Sequence, residues 1–387
     1  MKTIPTSSLA PGSFIDQQVF LDKGYILLTP DSPVTPELVA RLQKWKYAEV
    51  FTEGKTREAP ADGAPVAAQV PTAKTIDQNI EDAKLAESAR AFHQDFSGFT
   101  AALMAKYIAD GIIPLAQVTE WIKKTIRIVH DARDFILLCL DSEADADHFL
   151  VSHAVNSTIL SLAIGDFLKA PPHRLIELGQ SGLLHEIGMF RLPPELRRSK
   201  GLYGPEERKT MSAHTVAGYR VLKGVSAPEN VALAALEHHE RMDGSGYPRN
   251  LTADKITEYA RIVAVTCSYD AMVSKRPFRE GARDGHSAIK ELLQTSRKQY
   301  DDRILKAIVY TLSIYPVGTA VLLSNNHRGV VVRTDAAKPR CPVVKVLADQ
   351  DGRPVVEPQM VRVSENHGVS ISRVLKPEEV GDLRQHA

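Results

Sequence analysis

Cysteine is scarce: Cys139, Cys267 and Cys341 are all that the 387 residues carry. They are far apart and odd in number, which argues against a disulfide framework and suits reduced thiols in the cytoplasm. An excess of one charge is missing too. Lysine and arginine number 48 against 47 aspartates and glutamates, a net charge of +1. No global field therefore steers the chain to DNA or to a membrane surface, and an anionic ligand must be met by a local pocket. No apolar run is long enough to span a bilayer; the stretch 135–140 is short and stands just before an acidic segment. The opening residues Met1 to Pro5 contain no apolar core of signal-peptide length. The expectation is a cytoplasmic protein with neither DNA nor a membrane as partner.

Charged residues at 25% and apolar residues at 43% are ordinary for a globular chain. The length exceeds what one core usually holds, so two or three domains are expected. Residues 1–54 read as a small α/β module: strand-like runs at 18–20 and 25–28, a short helix over 36–42 opened by Thr35 and Pro36, and a returning strand at 49–52. Residues 55–75, rich in alanine, proline, glycine and charge, read as a flexible linker. Residues 76–144 read as a helical connector. There Leu85, Ala89, Phe92, Phe96, Phe99 and Leu103 alternate in steps of four and three, a heptad-like seam. It serves either the helix's own domain or a homodimer through the 76–110 helix. A second helix over 115–140 carries Val118, Ile122, Ile126 and Val129 on one side.

Residues 145–315 read as helices at 155–168, 174–184, 206–222, 229–239, 260–273 and 286–296, with no run of period two. An all-α bundle follows. From 316 to 387 the texture changes to strands at 320–323, 329–332 and 342–347, a small β-rich extension. The fold class is thus mainly α, a helical bundle between a small N-terminal α/β module and a small C-terminal β-rich extension.

Five of the thirteen histidines stand in the bundle: His153, His185, His214 and the adjacent His238 and His239, with Glu186 directly after His185. Neutral imidazoles are common ligands of first-row metals, and a carboxylate can bridge two of them. The pattern suggests a two-metal centre able to activate a nucleophile and clamp a phosphate. Gly246, Tyr247 and Pro248 close a glycine-rich loop just after the histidine pair and read as a wall of the pocket. Arg276 and Arg279 offer guanidinium groups suited to phosphate or guanine.

The string HHERMDGSGYP over 238–248 resembles the central motif of the HD-GYP family of cyclic di-GMP phosphodiesterases, a branch of the HD hydrolase superfamily. LLHEIG over 183–188 is similar to the family's LLHDIG, and the likeness continues through 260–263 and 269–274 to Arg276 and Arg279. The N-terminal segment and the tail beginning at YPVG, 315–318, also resemble segments found with this family. The resemblance implies an HD-type helical bundle with two or three iron, manganese or similar ions; for this chain one or two divalent ions are expected, iron or manganese first and zinc as a further choice. It implies His153, His185, Glu186, His214, His238 and His239 as ligands, with His185 and Glu186 at the catalytic centre. It also implies hydrolysis of cyclic di-GMP to pGpG or GMP, with Gly246, Tyr247, Pro248, Arg276 and Arg279 near the nucleotide.

Three positions depart from the family pattern. Its bridging aspartate is Glu186 here, one methylene longer. Its lysine near the reacting phosphate is Met189; losing one preorganised charge typically lowers the rate by roughly 10²–10³. Its ligating aspartate in ADxYDA is Cys267, which reads either as a small buried hydrophobe or as a thiolate ligand that favours zinc. The reading is a cyclic di-GMP phosphodiesterase of reduced activity. The alternatives are a non-hydrolysing cyclic di-GMP receptor or scaffold that docks signalling proteins through the GYP loop, and a phosphohydrolase of another nucleotide.

Overall fold

The structure, a computed structural model, describes the chain except residues 1, 18, 23–24, 29–33, 35, 37–38, 40–41, 43–48, 58–75, 141–148, 198–203, 275–282, 295–296, 336–337, 356–357, 365–367, 377–378 and 380–387. Nearly all of the expected linker and most of the expected 36–42 helix lie outside the described residues. So do Arg276 and Arg279. The chain divides into two compact units, Met1–Gln69 and Val70–Ala387.

In the first unit, β1 (Lys2–Pro5), β2 (Phe14–Ile15), β3 (Val19–Asp22), β4 (Tyr25–Leu28), β5 (Glu49–Thr52) and β6 (Thr56–Arg57) form two antiparallel sheets. The larger runs in the order β1-β5-β3-β4, and β2 pairs with β6. Thr56 and Arg57, expected to begin the linker, thus belong to a strand. Their partners Phe14 and Ile15 are some forty positions upstream, a pairing that local composition does not signal. Leu9, Ile15, Val19, Val34, Leu42 and Val50 make the small core.

The second unit begins with α1 (Ile76–Asp110), α2 (Leu115–Asp131) and α3 (Arg133–Leu138). The single helix expected over 115–140 is two, because Ala132 leaves helical geometry at φ −136°, ψ 40°. The seam of α1 faces inward. Ala89, Phe96 and Leu103 are buried in the main core, and Phe92 and Phe99 lie against Trp121 of α2 at ring separations of 6.0 and 5.1 Å. That face is occupied within the chain, so the heptad-like spacing reflects packing on a neighbouring helix.

The bundle continues with α4 (Phe149–Phe167), α5 (Pro172–Leu184), α6 (Pro194–Arg197), α7 (Pro205–Gly224), α8 (Glu229–Glu237), α9 (Glu258–Val273), α10 (Gly285–Gln294) and α11 (Asp302–Leu312). Every residue of α4 from His153 to Gly165 is buried, which marks it as the central helix, covered around its whole circumference. A 3-10 turn, Ile187–Arg191, follows α5 and lies on α7. The contact is so close that a Cβ on Gly188 would come within 2.0 Å of the His214 carbonyl oxygen and 2.4 Å of the Gly218 nitrogen. Gly188→Ala is therefore expected to lower stability by about 3 kcal/mol or more, since backbone cannot yield as a side chain does; a denaturant midpoint measured on the variant checks it. Among the described residues, no helix is long and apolar enough to cross a membrane.

The tail forms β7 (Ala320–Leu323), β8 (Arg328–Arg333), β9 (Val343–Ala348), β10 (Met360–Arg362) and β11 (Ile371–Val374), an antiparallel sheet in the order β10-β9-β8-β7-β11. Apolar clusters cover both of its faces. It is tied to the helices by Arg333 to Asp82 at 3.0 Å and Thr334 to Asp134 at 3.2 Å.

Candidate metal centre

The five histidines and Glu186 converge on one place in the bundle. His153 comes from the central helix α4. His185 and Glu186 sit where α5 gives way to the 3-10 turn. His214 is on α7. His238 ends α8, and His239 follows outside the helix. A helix end is what lets two successive side chains reach the same cavity, because inside a helix neighbours diverge by about 100°.

Hydrogen bonds fix the ring orientations. The Nδ1 atoms of His185, His214 and His238 lie 2.8, 2.6 and 3.0 Å from the carbonyl oxygens of Gly182, Met211 and Ala235. The Nδ1 of His153 lies 2.6 Å from Oδ2 of Asp270. A carbonyl or ionised carboxylate only accepts, so each Nδ1 donates and each Nε2 is left to face the cavity. There the Nε2 atoms meet in pairs, His153 with His185 at 3.4 Å and His214 with His238 at 3.3 Å. Two lone pairs at that separation repel unless a cation lies between them, whether a proton or a metal ion.

Glu186 lies between the pairs, with Oε2 3.3 Å from Nε2 of His214 and Oε1 3.9 Å from Nε2 of His238. It is 8% exposed, and its Oε2 accepts no hydrogen bond. Burial opposes a charge on this carboxyl, but His214, His185 and His239 outweigh burial and hold its pKa at about 2. An ionised, buried carboxylate with a free oxygen, ringed by imidazole nitrogens, is a donor set that fits divalent ions. Burial first, and then the neighbouring imidazoles, push His238 and His239 well below the ordinary histidine value, which keeps them neutral as ligands must be.

The ligand atoms fall into two overlapping groups, each with all atoms within 4.8 Å of one another: His153, His185, Glu186 and Cys267, and Glu186, His214, His238 and His239. Cys267 is thus more than a small hydrophobe in the core. It lies on α9 and turns its sulfur into the cluster. Burial opposes its thiolate, yet His153 and His185 outweigh burial and bring its pKa down to about 6.

Several supporting residues escape a reading by spacing. Asp270, one turn beyond Cys267 on α9, accepts from Nδ2 of Asn156 at 2.8 Å and from the Ser274 hydroxyl at 2.9 Å while holding His153. It is 0% exposed. Asp270→Asn is expected to weaken metal binding by roughly 10–100-fold through loss of the carboxylate that orients and polarises His153; equilibrium dialysis with metal analysis measures it. Glu237 and Glu240 brace the loop that follows the histidine pair. Glu237 accepts from the Thr257 amide and hydroxyl, both at 2.8 Å, and pairs with Arg249. Glu240 accepts from the amides of Arg249 and Leu251 at 2.7 and 2.9 Å. Gly246 is packed so closely that a Cβ would lie 2.4 Å from Glu240 and Arg241 backbone atoms. The loop so held stacks Tyr247 on His239 at 4.7 Å. His239 is the one member of either group that is not fully buried, so the cluster is least covered beside Tyr247.

Protons and metal ions compete for these nitrogens. Burial works against a charged His153, but Cys267 and Asp270 outweigh it and raise its pKa to about 10. Without metal, His153 therefore carries its extra proton at neutral pH. An ion that takes Nε2 must expel that proton, so affinity rises with pH up to about 10. Titration calorimetry in buffers of different ionisation enthalpy should show proton release on metal binding; heats independent of buffer would contradict it.

Residues 140–304 match the HD domain family. The central bundle is thus similar to HD domains. Residues 320–383 match a KOW domain associated with HD domains, which covers the five-stranded sheet. The chain is 26% identical over 235 residues to the cyclic di-GMP phosphodiesterase PdeB of Borreliella burgdorferi, covering 60% of this chain and 62% of that one. It is 32% identical over 228 residues to the cyclic di-GMP phosphodiesterase PA4108 of Pseudomonas aeruginosa, covering 58% and 54%. The chain thus spans a little more than half the length of these curated relatives. Among solved structures, Bd1817, an HDG"Y"P protein from Bdellovibrio bacteriovorus, superposes with a TM-score of 0.47 at 15% identity, covering 79% of this chain and 97% of that one.

Proposed function

We propose that the HD domain hydrolyses a phosphodiester of cyclic di-GMP, yielding pGpG or GMP, with divalent ions held by His153, His185, Glu186, His214, His238, His239 and Cys267. The observation that carries the reading is the set of Nε2 atoms facing one another around Glu186. Nitrogen lone pairs at these separations call for a cation between them. When bound, a pair of divalent ions activates water and withdraws charge from the phosphate.

The chain's own residues do the remaining work. Carbonyls of Gly182, Met211 and Ala235 and the carboxylate of Asp270 keep the imidazoles in one tautomer and one orientation. Glu186 offers an oxygen to each group. Burial, and then Glu186, push the Tyr247 phenol pKa upward, so it keeps its proton and can donate to a phosphate or base at the open side. Pro248 and Gly246 hold Tyr247 there. Arg276 and Arg279 supply further positive charge for the nucleotide. Met189 brings none, so turnover is slow.

The test is incubation of purified full-length protein, loaded with manganese or iron, with cyclic di-GMP and separation of the products by chromatography. Appearance of pGpG in the wild type, and its absence with His185→Ala, supports the proposal. Tight binding with no product under any metal would assign the receptor reading instead, for which the uncharged Met189 already argues.

A further inference from the structure

The two ligand groups share Glu186 and differ in one respect that matters chemically. The first contains sulfur, with His153, His185, Glu186 and Cys267. The second, with Glu186, His214, His238 and His239, contains none. Thiolate is a soft donor that selects zinc-like ions, whereas imidazole and carboxylate also accept iron and manganese. Two nitrogens, one oxygen and one sulfur match the composition of a four-coordinate zinc site.

The sulfur is fixed in the cluster by its helix. Cys267 is 6% exposed, and α9 is tied to the central helix on both sides of it. Thr266 bonds Ser161 at 3.0 Å, and Asp270 bonds His153 and Asn156 at 2.6 and 2.8 Å. The other cysteines, Cys139 and Cys341, are not among the cluster-forming residues.

We infer that the centre is asymmetric: the Cys267 pocket takes a thiophilic divalent ion of the zinc class through a metal–sulfur bond, and the His214–His238–His239 pocket takes a second ion bound by nitrogen and oxygen alone. This rests on reading the cluster as a metal centre, and it goes further in giving the two positions different ion preferences. Binding leaves the sulfur as thiolate and sends any displaced proton to solvent, with no change of oxidation state.

Cobalt(II) reports sulfur ligation directly. Titrated anaerobically into metal-free full-length protein, it should give an intense near-ultraviolet sulfur-to-cobalt charge-transfer band that saturates at one ion per chain, while visible ligand-field bands grow further with a second. Cys267→Ser should lose the charge-transfer band, and Cys267→Asp should lose it while still binding two ions. Cys139→Ser and Cys341→Ser should keep it. Should the Cys267 variants fail to fold, X-ray absorption on zinc-loaded wild type decides: one sulfur at about 2.3 Å is expected, and a shell of only nitrogen and oxygen at about 2.0–2.2 Å overturns the inference. Cobalt binding without the charge-transfer band, or a band that survives Cys267→Ser, also overturns it. Hydrolysis of cyclic di-GMP by protein lacking the sulfur signal sinks this inference and leaves the hydrolase reading intact. A sulfur signal without hydrolysis under any metal supports the inference and removes the hydrolase reading.

Discussion

Replacing His185 with alanine is expected to abolish metal-dependent hydrolysis of cyclic di-GMP, a loss on the order of 10³ or more, because ligands that act as one unit fail together. His185 is fully buried. Its Nε2 faces that of His153 at 3.4 Å, and its ring meets the edge of His238 at 4.9 Å. It also supplies part of the field that keeps Glu186 ionised against burial. Alanine removes a nitrogen ligand and leaves Glu186 with less compensation in an apolar setting. Metal content should fall by at least one ion per chain. His173, an exposed histidine on α5, is the control: its alanine variant should retain both metal and turnover. Unchanged metal content in His185→Ala would show that the imidazoles meet for structural reasons alone.

The second large effect runs the other way. Met189→Lys is expected to raise kcat by roughly 10²–10³, the usual worth of one preorganised charge at a reacting phosphate. Met189 stands in the 3-10 turn directly behind Glu186, and its amide donates to the Glu186 carbonyl at 2.9 Å. It is 8% exposed. An ammonium in that turn would be desolvated unless it faced an anion, and Glu186 and a bound phosphate provide one. The gain should appear in kcat more than in KM, since the charge acts where negative charge develops. Steady-state kinetics on the manganese-loaded variant measure it. An unchanged kcat would mean that the turn aims this side chain away from the reacting phosphorus.

Much of the architecture could be read from spacing alone. The helices of the bundle, the strand at Tyr25–Leu28 and the switch to strands at Ala320 all follow from apolar period and turn residues. The histidines and Glu186 were recognisable because metal chemistry restricts which residue types serve. What spacing missed depends on distance in the chain. Asp270 reaches His153 across 117 positions, and no local pattern distinguishes it from a surface carboxylate. Glu237 and Glu240 flank the histidine pair, yet their task is to gather amides from a loop that returns many residues later. Cys267 was legible only as two alternatives. A lone cysteine in an apolar helix is ordinarily a packing residue, and only the meeting of α9 with α4 and α5 shows its sulfur beside His153, His185 and Glu186. The seam of α1 could not announce its partner, because an apolar stripe fits a helix of the same chain as well as a second copy.

Glu186 belongs to both ligand groups, and a single carboxylate carries only one negative charge to share. With ions in both groups, as proposed, their occupancies would be thermodynamically linked: whatever charge the first ion neutralises is withdrawn from the second. Successive ions should load with unequal affinity, the later one more weakly, so the fully assembled centre would persist only while free metal stays plentiful.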